Sequence, residues 1–113
     1  MDIIERTIGG VNIVALGGRL DIYASKDLEQ KLNPFLNADK ACVVVSLEKL
    51  DYISSSGLRV LLASLKEVRK REGDIKIACM KPFIKEVFDI AGFSQLFSIY
   101  DLEDVAVQAF HKA

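Results

Sequence analysis

The sequence predicts an α/β domain with a mixed, mostly parallel β-sheet, an N-terminal hairpin and about four helices. Short apolar runs of strand length, at 41–47 and 75–80, alternate with stretches whose apolar residues recur every three or four positions. Two further apolar runs flank Gly9-Gly10, a pair that can supply the positive φ angles of a tight turn. Strands that alternate with helices need crossover connections, so we expect parallel pairing and helices that lie mainly on one face.

Length and composition set the class of protein. The 113 residues suit one domain, spanning 1–113, and half of them are apolar, which is enough for a core. The net charge of −1 argues against nucleic-acid binding by bulk positive charge. The first residues are mixed and charged, and no apolar run approaches the roughly 18 residues of a membrane span. We therefore expect a cytoplasmic protein without membrane insertion, and a monomer as the default.

The first half of the chain contains the hairpin and one helix. The hairpin occupies residues 2–16, and Gly17-Gly18 is expected to break its second strand. A helical period then runs from Ala24 to about Asn37. Pro34 lies inside this stretch, so we expect a bend or an early end there.

The second half follows a strand–helix order. A central strand at 41–47 leads through a connection at 48–53 into a helix from about Ser56 to Arg71, with Gly73 as its left-handed cap. Another strand at 75–80 precedes a short helix that starts near Pro82 and stops at Gly92.

The last elements are a short strand and a helix. The strand covers Leu96 to Tyr100, and Asp101 opens the final helix.

The two cysteines, Cys42 and Cys79, lie in strand-like apolar runs and are expected to be buried, reduced thiols.

Catalytic motifs are not found in the sequence. The only histidine, His111, lies three residues from the end, which is a poor place for a general base. The strand–serine–helix order at Ile53 to Gly57 resembles a nucleophile elbow but lacks its first glycine. No phosphate-binding glycine loop and no metal-ligand spacing occur. We predict a protein that is not an enzyme and that uses no cofactor or metal.

The candidate functional segment is the turn Ser54-Ser55-Ser56-Gly57, where a buried strand leads into an amphipathic helix. A helix start favours serine as a cap, worth about 1 kcal/mol, and it also favours anions. The hydroxyl of Ser55 or Ser56 is therefore either a cap or a place for a phosphate. One cap needs one hydroxyl, so three in a row leave at least one spare, and Gly57 would let a phosphate or another chain approach closely.

Three stretches of the chain together resemble a STAS domain, and most closely a stand-alone bacterial anti-sigma-factor antagonist. The resemblance covers the chain essentially end to end. The three stretches are Gly18-Arg19-Leu20-Asp21-Ile22-Tyr23, the segment Leu47 to Leu62 with its core Tyr52-Ile53-Ser54-Ser55-Ser56-Gly57-Leu58, and Val87-Phe88-Asp89-Ile90-Ala91-Gly92-Phe93.

The resemblance implies a single STAS-like domain that works as a partner switch. Such proteins bind an anti-sigma factor, which is itself a serine kinase, and lose that binding when the kinase phosphorylates the switch loop. A PP2C-type phosphatase resets them. On this chain the matching serine is Ser55, with Ser54 and Ser56 as minor alternatives. The family's aspartate before the phosphorylated serine is replaced here by Ser54.

Partner contacts are expected around these serines. Asp21 matches the family's turn aspartate, with the alternative that it only bonds its own backbone. Arg59 follows Ser55 by one helical turn and could meet the phosphate or an acidic patch of the partner, with the alternative that it is simply solvated. We name the predicted contact residues the switch surface; they are Asp21, Ser54, Ser55, Ser56, Gly57 and Arg59.

Two other functions stay open from the sequence. The first is an interaction subunit of a lipid-transport or sensory complex that works without phosphorylation, in which the serines are caps. The second is a nucleotide-sensing STAS module, which is less favoured because no phosphate loop is encoded.

Overall fold

The computed structural model describes residues 1–111, which form a five-stranded sheet and four α-helices. This architecture confirms the predicted fold class. The strands are β1 (Asp2–Ile8), β2 (Val11–Leu20), β3 (Cys42–Ile53), β4 (Asp74–Ala78) and β5 (Ser98–Tyr100). The helices are α1 (Ile22–Leu36), α2 (Ser55–Lys70), α3 (Pro82–Ile90) and α4 (Glu103–Ala109), and a short 3₁₀ turn covers Phe93–Gln95.

The strands lie side by side in chain order. Strand β1 is antiparallel to β2, through a turn in which Gly9 and Gly10 have φ angles of 55° and 80°, while the other neighbours are parallel. From β2 to β5, each crossover connection leads to the neighbouring strand of the sheet, always in the same direction across the sheet. Since such crossovers are right-handed, α1, α2 and α3 must share one face of the sheet. Helix α4 follows the last strand and covers the other face.

Two hydrophobic cores correspond to the two faces, and their sizes confirm that one face dominates. The larger core joins the sheet to α1, α2 and α3, and Leu28, Leu61 and Phe88 are fully buried in it. The smaller core lies under α4 and consists of Val11, Ile13, Val44, Ala78, Ala106 and Val107.

Strand β2 continues through Gly17-Gly18, so the expected break is wrong. The parallel register with β3 shifts between Ala15 and Gly17 and again between Gly18 and Arg19. Gly18 has a φ of 92°, which a glycine adopts without strain. At each shift β3 has one residue more than β2, so the bulges lie in β3 opposite the glycine pair, and pairing continues to Leu20.

Strand β3 is also longer than predicted. The segment 48–53, expected as a connection, extends the strand because it pairs with the end of β2 as far as Leu20 and Ile53. From the sequence alone the segment is expected to be a connection, because Glu48 and Lys49, which are exposed, have the composition typical of a loop. Leu50 and Ile53 lie in the core, as predicted.

Helix boundaries differ from the expected ones at several ends. Helix α1 begins at Ile22, before Ala24, and accommodates Pro34 two residues before it ends. The left-handed residue after α2 is Glu72, with a φ of 62°, and not Gly73. The N–H of Gly73 donates to the carbonyl of Val68 at 2.8 Å, so Gly73 occupies the following position of the helix stop.

The cysteines and the last elements also need correction. Cys42 and Cys79 are half-buried, not fully buried, and both are free thiols. Strand β5 is confined to Ser98–Tyr100, and the final helix begins at Glu103, two residues after Asp101.

We predict that Gly73→Ala destabilises the fold. A Cβ at this position would lie 2.7 Å from both the backbone N and the backbone O of Ala41, which cannot move independently of β3. Such overpacking costs about 1–3 kcal/mol, measurable as a lower free energy of unfolding in urea. Gly17→Ala is the matched control, because its nearest contact would be an ordinary 3.5 Å. An equal, negligible effect of both changes would contradict the packing role of Gly73.

Candidate functional site

The three serines lie at the edge of the sheet where β2 and β3 end. Leu20 and Ile53, the last residues of these strands, are paired, and the N–H of Ser54 donates to the carbonyl of Leu20 at 2.8 Å. This bond joins the start of α1 to the start of α2. Asp21 therefore lies next to the serine turn, as predicted.

Ser54 is the cap of α2, which corrects the expectation that Ser55 or Ser56 would cap it. The hydroxyl of Ser54 accepts a hydrogen bond from the N–H of Gly57 at 3.1 Å, and its carbonyl accepts from Leu58 at 3.0 Å. The helix starts one residue earlier than predicted because the buried end of β3 is Ile53. Ser54 is thus the first residue free to leave the strand.

Ser55 and Ser56 are left with unused hydroxyls. Ser55 is the exposed first residue of α2, and Ser56 is half-buried. Among residues 1–111, neither hydroxyl has a hydrogen-bond partner, and the first turn of α2 contains no acidic residue. Because the start of a helix carries partial positive charge, this turn is suited to receive a negative group.

Asp21 performs the equivalent capping for α1. Its carboxylate accepts from the N–H groups of Tyr23 at 3.1 Å and Ala24 at 2.9 Å. The hydroxyl of Ser25 donates to the carbonyl of Asp21 at 2.7 Å, which fixes the turn further. The alternative role of Asp21 as a residue that bonds its own backbone is confirmed. Its contact with a partner stays a prediction.

Gly57 makes a close approach inside the molecule, and not to an outside group as expected. It is buried, and a Cβ there would lie 2.7 Å from Cγ of Leu20 and 3.2 Å from Cγ1 of Ile53. The absence of a side chain lets α2 pack directly over the ends of β2 and β3. Gly57 therefore sets the position of the serines, and its contact with a partner stays a prediction.

Arg59 is exposed and lies on the wall of a groove between α1 and α2. The groove is also lined by Ser56, Lys26 and Glu29, with Ile22 and Val60 contributing apolar surface. In the part of the chain that the structure describes, neither Arg59 nor Lys26 forms an ion pair. Two cations and one carboxylate therefore share a groove that also contains Ser56.

Several residues around the serines were not singled out from the sequence. The guanidinium carbon of Arg19 lies 4.2 Å from the centre of the Tyr52 ring, and both side chains are exposed. Ile22 and Tyr23 are exposed in the first turn of α1. A signal for the latter pair was present, because neither shares the helical face of Ala24, Leu28 and Leu32 that forms the core stripe.

The geometry separates the serines from the histidine and gives the thiol of Cys79 little reactivity. His111 lies beside Gly9, where a Cβ would be 3.3 Å from its Nε2. The ten residues of β2, about 33 Å, separate that turn from the serines. Burial raises the pKa of the Cys79 thiol, so it is protonated at neutral pH. These positions do not assemble a nucleophile with a base.

A larger depression lies on the α4 face of the sheet. It has a volume of about 470 Å³, and its lining includes Asp2, Arg6, Ser46, Glu48 and Glu103. Arg6 is paired with Glu103 at 2.5 Å, and the other charged lining residues are Asp2, Glu48 and Lys49, so the lining has no excess positive charge to hold a phosphate. This lining gives no support to a nucleotide site.

The structure offers no metal cluster and no membrane span in its described part. Across residues 1–111, no three His, Cys, Asp or Glu side chains converge in a way that could hold a metal ion. None of the four helices there combines the length and hydropathy needed to cross a bilayer.

Comparison with known proteins gives matches over nearly the whole chain. The chain is 36% identical to BtrV of Bordetella bronchiseptica, named as a candidate anti-sigma factor antagonist, over 94% of this chain and 91% of that protein. A candidate anti-sigma factor antagonist of Thermotoga maritima has a TM-score of 0.90 at 18% identity, covering 97% of this chain and 95% of that one. The phosphorylated form of the Bacillus cell fate determinant SpoIIAA gives 0.74 at 18% identity, covering 96% and 98%.

The family assignment follows from the extent of these matches. The family model of the STAS domain matches residues 2–106, which include every strand and the start of α4. The structural neighbours share the fold, and the relative in Bordetella is identical at 36% of the 106 aligned residues. The chain belongs to the STAS domain family.

Proposed function

We propose that this protein is an anti-sigma-factor antagonist, a protein-binding module whose affinity for its partner is switched off by phosphorylation of Ser55. The observation that carries the proposal is the unused, exposed hydroxyl of Ser55 at the start of α2, beside a cap that Ser54 already supplies. The relative in Bordetella is named for the same function.

The partner is an anti-sigma factor that is also a serine kinase. It binds the switch surface at the edge where β2 and β3 end and releases its sigma factor in exchange. The kinase then transfers a phosphoryl group to the Ser55 oxygen, and a PP2C-type phosphatase removes it. All of these steps take place in the cytoplasm, and the chain itself catalyses none of them.

The phosphate acts on recognition and not on the fold. It adds about −1.5 to −2 charges and three strong acceptor oxygens to the start of α2. The dipole of a sixteen-residue helix tolerates that charge, so the domain stays folded. A partner surface fitted to a neutral hydroxyl, however, meets an unmatched dianion and dissociates.

Ser54 replaces the aspartate that precedes the phosphorylated serine in the family. Serine and aspartate are equally good caps, so the replacement keeps the helix start. It removes one negative charge beside Ser55, however, and this lowers the repulsion that the incoming phosphate meets. The serine turn of this chain therefore keeps the capped helix start of the family but has one negative charge fewer beside Ser55.

We predict that the chain isolated from its native host carries a single phosphate on Ser55. Intact-mass and peptide mass spectrometry measure the added group and its position. The signal is expected to disappear in Ser55→Ala and to persist in Ser56→Ala, because Ser55 is exposed and Ser56 is half-buried.

A phosphate on Ser56, or a chain that stays unmodified under every growth condition, would contradict this assignment. The unmodified outcome would favour the interaction subunit that works without phosphorylation. Folding of both variants is checked by circular dichroism, since neither hydroxyl contributes a hydrogen bond to the described fold.

We also predict that position 54 acts mainly as a cap. Ser54→Ala should lower the free energy of unfolding by about 1 kcal/mol, because the N–H of Gly57 loses its acceptor. Ser54→Asp should leave it unchanged within about 0.5 kcal/mol, since the carboxylate replaces the acceptor. Urea unfolding at neutral pH measures both. A loss in Ser54→Asp as large as that in Ser54→Ala would show that position 54 has a different role.

A further inference from the structure

We infer that Tyr23 and Ile22, in the first turn of α1, are the anchors with which the switch surface selects its partner. The matching partner surface is an apolar pocket bordered by carboxylates. This inference rests on the proposed function. It adds Ile22 and Tyr23, which are not among the residues of the switch surface, as determinants of partner specificity.

The exposure of the two side chains is the first argument. Tyr23 is 77% exposed and Ile22 is 57% exposed, although α1 is held to the sheet by Ala24, Leu28 and Leu32. The two residues therefore contribute little to the core. Single exposed apolar residues are common, so exposure alone does not mark a site. Ile22 and Tyr23 differ from other exposed apolar residues because they lie next to the serine turn.

The rigidity of their backbone is the second argument. The carboxylate of Asp21 accepts directly from the N–H of Tyr23 at 3.1 Å, and the hydroxyl of Ser25 donates to the carbonyl of Asp21. The first turn is thus fixed before any partner arrives. A tyrosine on a fixed backbone loses little conformational entropy on binding, which is a property of good interface anchors.

The composition of the surrounding surface is the third argument. In the strand pair that precedes Leu20 and Ile53, Arg19 is stacked over Tyr52 at 4.2 Å. Tyrosine and arginine are enriched among the residues that contribute most to binding at protein interfaces. The end of the sheet that carries the serines therefore also carries side chains typical of such anchors, and Tyr23 is more exposed than Tyr52.

The charge around the groove determines the chemistry of the partner. Ile22 lines the groove between α1 and α2, together with Lys26 and Arg59, which form no ion pair in the described chain. Glu29 is the one carboxylate on this wall. Nearby, the carboxylate of Asp51 is bound to Lys81 at 2.7 Å. The carboxylate of Asp21 is bound to two backbone N–H groups at the start of α1. On the groove wall, Lys26 and Arg59 outnumber Glu29, so the groove has a net positive charge that fits carboxylates of a partner.

The size of the groove favours a protein over a small molecule. Its volume is about 250 Å³, below the roughly 300–1,000 Å³ of small-molecule sites. The same cations also connect the anchors to the switch. A phosphate on Ser55 competes with the partner's carboxylates for Arg59 and Lys26, so it weakens the contact beside the anchors.

The test uses the purified anti-sigma-factor kinase of the native host that phosphorylates Ser55, titrated calorimetrically with the full chain. We expect Tyr23→Ala to weaken binding at least tenfold and to raise KM for phosphorylation without changing kcat. Tyr23→Phe should stay within about threefold of the unaltered chain, because the ring is retained. Ile90→Ala, which removes an 88% exposed side chain from α3, is the matched control and should bind normally.

The outcomes separate the inference from the proposed function. Normal binding and normal KM in Tyr23→Ala, while Ser55→Asp still abolishes binding, overturn only the anchor role. A host without any kinase that modifies Ser55 overturns the proposed function and the inference together. Loss of binding in both Tyr23→Ala and Ile90→Ala would also overturn the anchor role, because the contact would then not be local to α1.

Discussion

The pairing of Leu20 with Ile53 is the constraint on which the candidate site depends. It makes β2 and β3 end side by side, and the bond from Ser54 to the carbonyl of Leu20 then joins the starts of two helices. Gly57 lets α2 lie directly on this pair. Two extra residues in β3, opposite the Gly17-Gly18 part of β2, are needed to reach that register, so the pairing of the two strands determines the position of the serines.

The caps of α1 and α2 and the proposed phosphorylation site are different side chains, and this separation would allow a switch without unfolding. Asp21 and Ser54 satisfy the backbone at the starts of α1 and α2. Ser55 directly follows the cap Ser54, and Tyr23 lies two residues after the cap Asp21. Both residues are thereby held in fixed positions with their side chains free. Modification of a free hydroxyl changes the surface charge, while the hydrogen bonds of both helix starts remain intact.

The sequence predicts the order of elements and the core well because hydrophobic period and turn residues are local signals. Three consecutive serines are equally good caps, however, and only the pairing of Ile53 across the sheet selects Ser54. The charged residues Glu48 and Lys49 are typical of a loop, so the sequence does not predict the strand extension that pairing with β2 stabilises. The contact of Gly73 with Ala41 joins residues far apart in the sequence, so a local pattern assigns the wrong residue to the left-handed position.

The most direct test of the account is the affinity of one partner for two forms of this chain. The fully phosphorylated and the dephosphorylated protein are titrated against the same anti-sigma factor of the native host by calorimetry. The account predicts that the dephosphorylated form binds and that phosphate on Ser55 weakens binding at least a hundredfold, with unchanged circular dichroism. Equal affinities of the two folded forms would contradict a switch at Ser55.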